Sequence, residues 1–168
     1  MKNEKLAKLA KKLDSKLSSI EAILVLTSLI GLFLRSSNIP LGTFILLISL
    51  STLAIMYYII SYRLSADKEI SPMKNFLDKL CLWGLSISII GILFRLQNYP
   101  GFQSMISIGC STLILFLIFS FIKKQETDSR LILRTIIIAA IGLSLYFTPK
   151  EKLIDLRIIS SIEKTSNK

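Results

Sequence analysis

The residues of this 168-residue chain best placed to do chemistry are two arginines, Arg35 and Arg95. Each is followed three positions on by an asparagine and five positions on by a proline. The segments read Gly31-Leu-Phe-Leu-Arg-Ser-Ser-Asn-Ile-Pro-Leu41 and Gly91-Ile-Leu-Phe-Arg-Leu-Gln-Asn-Tyr-Pro-Gly101, so one pattern, G-x-x-x-R-x-x-N-x-P, occurs twice in gapless register. A guanidinium presents a planar fork of donors that suits phosphate or carboxylate. The pairs Arg35/Asn38 and Arg95/Asn98 are therefore candidates for an anion or lipid-headgroup site. The same residues also have structural uses. An arginine can bond the unpaired carbonyls that end a helix, Asn38 and Asn98 suit a turn that Pro40 and Pro100 stiffen, and Gly31 and Gly91 let a neighbouring helix come close.

Other chemistry is thin. The chain has no histidine, which removes the commonest general base and metal ligand. Cys81 and Cys110 lie outside any C-x-x-C pattern and at different expected depths, so they read as free, small hydrophobes rather than a disulfide or metal pair. Ser71-x-x-Lys74 has the spacing of a serine acylase motif, but its companion motifs are missing, and Ser71-Pro72 reads as a helix N-cap with proline at N1. No carboxylate pair or metal cluster stands out. The expectation is a non-catalytic chain with no cofactor and no metal.

The elements that position these residues are membrane helices. Mean hydropathy is +0.61, 52% of residues are hydrophobic and 19% are charged, and the charges gather in blocks that flank almost uncharged runs. The net charge of +10 follows those flanks, with no stacking aromatics, so nucleic acid is not an expected partner. Residues 2–16 form a basic amphipathic segment, either lying on anionic lipids or simply leading into the first span from the cytoplasm. Spans are expected at 17–34, 41–62, 80–96 and 102–122, with polar loops at 63–79 and 123–130. A weaker fifth span, 131–147, contains Arg134, which could snorkel to the surface. Glu21 lies near the entrance of the first span, within reach of water. Thr148-Pro-Lys-Glu151 reads as the capped start of a C-terminal amphipathic helix over 148–168. The fold class is all-α and polytopic. The domains are two tandem transmembrane hairpins, 17–62 and 80–122, a short fifth span and a C-terminal helix.

Loop charge sets an orientation. Lysines and arginines crowd the N-terminal segment and the two polar loops, so these face the cytoplasm and both R-x-x-N-x-P turns face away. A crossing fifth span would carry Lys150 and Lys152 to the far side, so an interfacial or re-entrant fifth segment is the competing topology. Aligning each residue with the one sixty positions on pairs Ser28 with Ser88, Gly31 with Gly91, Arg35 with Arg95, Asn38 with Asn98, Pro40 with Pro100, and Ser51-Thr-Leu53 with Ser111-Thr-Leu113. Both repeats start on the same side, so they are parallel repeats.

The second repeat, Leu93-Phe-Arg-Leu-Gln-Asn-Tyr-Pro-Gly101, resembles the hairpin of the GldL family, the cytoplasmic-membrane motor subunits of gliding and type IX secretion in Bacteroidota. There a span ends on a basic residue and a His-Trp-Pro-Gly turn. The resemblance covers about half the chain and implies a bacterial cytoplasmic (inner) membrane protein with a membrane-protein partner or homo-oligomeric state. The departures are specific. Asn38 and Asn98 replace the histidine, Ile39 and Tyr99 the tryptophan, and Leu41 stands where Gly101 is kept. The family's glutamate, associated with proton coupling, has leucine at the matching positions, Leu53 and Leu113, and leucine binds no proton. The implied function is an accessory or assembly subunit, a motor-like scaffold without proton coupling. The alternative is a small transporter or channel subunit using the two Arg/Asn turns.

Overall fold

The computed structural model describes residues 16–62, 71–122 and 128–155. The basic segment 2–15, part of both polar loops and the tail after Asp155 lie outside the described residues. Six helices occur among those described: α1 Leu17–Ser36, α2 Leu41–Ser61, α3 Pro72–Leu96, α4 Phe102–Ile122, α5 Ser129–Phe147 and the short α6 Lys150–Asp155. Five of them are long and apolar enough to cross a membrane. The protein is an all-α polytopic membrane protein.

The central element is α3, packed against α2, α4 and α5. Its core face carries Leu77, Cys81, Leu85 and Ile89, which meet Leu53, Met56, Tyr57 and Ile60 of α2 and Leu113 and Phe116 of α4. Within each hairpin, small residues set the helix separation. A Cβ on Gly91 would lie 2.8 Å from the backbone nitrogen of Ile106, and one on Gly31 would lie 3.1 Å from that of Leu46. Leu46 and Ile106 are sixty positions apart, so the glycine-to-backbone contact recurs with the sequence repeat. Two unrepeated glycines bring the helices closer still. A Cβ on Gly42 would stand 2.5 Å from the carbonyl oxygen of Gly31, and one on Gly109 2.7 Å from the backbone nitrogen of Ser88. In a bilayer such close backbone packing takes the place of hydrophobic association.

Several local expectations need correction. The second half of the 63–79 loop is helical, because α3 begins at Pro72. Ser71 occupies the N-cap position with extended backbone, but its side chain makes no capping bond. The Thr148 hydroxyl donates backwards to the carbonyl of Ser144 at 2.6 Å, inside the preceding helix, and does not cap the next one. By contrast Asp128 does cap, accepting from the Arg130 backbone nitrogen at 3.0 Å, and so starts α5 two residues before the expected span.

The fifth helix crosses the same layer as the third. Thr135 near the start of α5 lies 3.1 Å (Oγ1 to Sγ) from Cys81 of α3. At the other end Arg95 of α3 reaches the carbonyls of Leu145 and Thr148. Two contacts in step, one toward each end, set α5 parallel to α3 from Thr135 to Thr148. Cys81 and Cys110 are free and buried. Both face α5, the second across a 3.9 Å contact to the Ala139 carbonyl.

Candidate functional site: a helix held at both ends across a groove

The two duplicated turns share one geometry. Asn38 and Asn98 have φ of 61° and 58°, the left-handed region that asparagine tolerates better than other side chains. Asn38 N–H bonds Arg35 O and Ile39 N–H bonds Leu34 O, while Asn98 N–H bonds Arg95 O and Tyr99 N–H bonds Phe94 O. These crossed bonds satisfy carbonyls that a helix end leaves open. In the second turn the flanking residues also touch, Phe94 and Tyr99 meeting edge to face at 5.6 Å. Pro40 precedes α2 directly, whereas Gly101, with φ of +84°, adds a residue before α4. That extra left-handed position explains why the second turn keeps glycine and the first does not need it.

The arginines do not point out of these turns. Both are buried, 7% and 6% exposed. Arg35 Nη1 donates to Gln97 Oε1 at 3.2 Å, and Gln97 Nε2 donates in turn to the Thr43 carbonyl at 3.2 Å. Arg95 donates through Nε to Leu145 O at 3.2 Å and through Nη2 to Thr148 O at 2.6 Å, with its guanidinium 4.3 Å from the centre of the Phe102 ring. Each repeat's arginine thus ties down the end of the helix after next, α3 for Arg35 and α5 for Arg95. Sequence reasoning found the carbonyl-capping role but attached it to the arginine's own helix. Gln97 gave no signal, because its counterpart in the first repeat is Ser37, which bonds back to Phe33 O.

At the opposite end of the bundle lies a charged cluster the sequence reading did not assemble. Glu21 Oε2 lies 2.7 Å from Arg134 Nε, each side chain 17% exposed, and the Tyr57 hydroxyl donates to Glu21 Oε1. Arg134 thus turns to Glu21, and Tyr57 and Arg134 together hold the carboxylate. A signal was present. Glu21 is the fifth residue of α1 and Arg134 the sixth of α5, opposite charges at matching depth in parallel helices.

Between these two ends α1 stands apart. Among the described residues its backbone packs against α2 alone, and it is joined to the rest by Glu21–Arg134 at one end and Arg35–Gln97 at the other. The gap between is a partly open cavity of about 640 Å³ lined from α1, α2, α3 and α5. Glu21, Arg134, Ser28 and Ser144 are its polar lining residues, and all the others are apolar. Among the described residues no group of three or more His, Cys, Asp or Glu comes together. Comparison with known proteins finds no matching family model, no matching curated protein and no matching solved structure.

Proposed function

We propose that this chain is a non-catalytic subunit of a bacterial inner-membrane complex, with its N-terminus cytoplasmic, acting by association as an accessory or assembly component. The observation that supports it most is the fate of the duplicated arginines. The groups best suited to bind an outside ligand are turned inward to fasten α3 and α5, so the turns serve the scaffold. The likeness of Leu93–Gly101 to the GldL hairpin supports a place beside secretion or motility components. Leu53 and Leu113 at the proton-coupling positions support a scaffold without an engine. The transporter reading gains nothing from Arg35 and Arg95, whose guanidiniums already meet side-chain and backbone acceptors.

The test is affinity purification of the tagged protein from native membranes in mild detergent, followed by mass spectrometry. A stoichiometric membrane-protein partner is expected. A chain recovered alone, or only with copies of itself, would overturn the accessory-subunit reading.

A further inference from the structure

The groove between α1 and α5 belongs to no part of the scaffold argument. We infer that it holds one acyl chain of an anionic phospholipid, whose acidic head group is bound by Arg134 at the groove's mouth. This goes beyond the association reading and does not depend on any protein partner.

Size argues first. A spanning helix about 30 Å long and 10 Å wide displaces roughly 2,400 Å³, far more than the groove's 640 Å³ or so, so a sixth helix is not accommodated. The volume falls inside the usual range for small-molecule pockets, about 300–1,000 Å³. Length argues next. The lining of α1 runs from Glu21 to Leu32 and that of α5 from Arg134 to Leu145, each about 16 Å at 1.5 Å per residue. One leaflet's share of a roughly 30 Å hydrocarbon core is about 15 Å. Val25, Leu29, Leu50, Ile92 and Ile137 along that length offer only hydrocarbon, matching a chain and nothing polar.

Charge sets the head group. Glu21 has both oxygens engaged, one by Tyr57 and one by Arg134 Nε. A guanidinium carries four of its five N–H donors on its terminal nitrogens, and the contact to Glu21 is through Nε. An acid group at the mouth therefore meets donors, and the fork geometry suits a phosphate. A zwitterionic head group brings the same phosphate but adds an ammonium, which would sit beside the Arg134 guanidinium with both Glu21 oxygens already engaged.

The experiment is native mass spectrometry of the full chain after exchange into mixed micelles of phosphatidylglycerol and phosphatidylcholine, with oleate in a separate arm. Two variants accompany the wild type, and circular dichroism with size-exclusion profiles confirms that each is folded. Glu21→Gln with Arg134→Gln removes the charges without stranding either. Ala140→Trp fills the groove from its exposed side, leaving the charged pair in place. The expected result is one phosphatidylglycerol retained per wild-type chain, roughly tenfold weaker retention in the double variant, and loss of both lipids in Ala140→Trp. Equal retention of the two phospholipids by the wild type, oleate bound in preference to either, or undiminished retention in a folded Ala140→Trp chain would each overturn the proposal.

Discussion

At the scale of single residues, the asparagines of the two turns are constrained by backbone conformation rather than by anything their side chains grip. A β-branched residue forced to φ near +60° pays about 1–2 kcal/mol, while glycine fits without strain. Asn98→Val should therefore lower the melting temperature in detergent, and Asn98→Gly should leave it nearly unchanged. Equal losses in the two variants would point to a side-chain role for Asn98 instead. The glycine at the helix crossing makes the complementary case. Gly91→Leu drives a side chain into the Ile106 backbone, an overpacking cost of about 1–3 kcal/mol or more. Ser88→Ala removes a buried hydroxyl whose one polar neighbour is the weakly bonding Cys110 thiol and should cost little. Thermal denaturation of both variants should rank them in that order. Both the turn asparagines and Gly91 were legible in the sequence, because a repeat in register exposes residues that serve the same local geometry twice.

At the scale of elements, the structure rests on pairings that no local pattern announces. The boundaries of α2 and α4 follow from apolar runs and turn residues, and the spacing of charges shows them well. Which helix touches which does not follow. Gln97 bridges Arg35 to Thr43 across more than fifty residues of chain, and a lone glutamine after an arginine carries no periodicity to reveal it. Glu21 and Arg134 each look like a residue at a membrane entrance, because an isolated charge near a helix end has that outlet. Only the parallel placement of α1 and α5 turns two entrances into one ion pair. Breaking such a pair strands a charge, whereas removing both members does not. Glu21→Leu alone should destabilise by roughly 2–4 kcal/mol, and Glu21→Leu with Arg134→Leu by much less. A double-variant cycle in detergent unfolding measures this, and additive losses would show that the pair is not coupled.

At the scale of the whole molecule, if all five apolar helices cross, the start of α1 and the end of α5 lie at opposite faces. Single cysteines introduced in a background lacking Cys81 and Cys110 give the check. Labels at Ser71 and Asp128 should be reached from one side of sealed vesicles, and labels at Tyr99 and Lys150 from the other. Labelling of Lys150 from the same side as Ser71 would require α5 to turn back. The odd number of spans was the point the sequence left open, because α5 is short and Lys150 and Lys152 beyond it sit badly with the loop-charge rule. The contacts of Thr135 and Arg95 lay α5 alongside α3 through packing, a term that a hydropathy profile does not contain.

The attachment of α1 at its two ends also has a consequence in time. Its hairpin leaves the ribosome first, yet Arg134 is synthesised more than a hundred residues after Glu21. At about 5–20 residues per second, the carboxylate waits on the order of 5–20 seconds for its counter-charge. During that interval the first hairpin is an insertion intermediate with an acidic group to keep neutral or hydrated and one flank open to the lipid. A nascent chain stalled before α5 should then be a better substrate for membrane proteases than the finished protein, and arrival of the fifth helix becomes the event that closes the door on degradation.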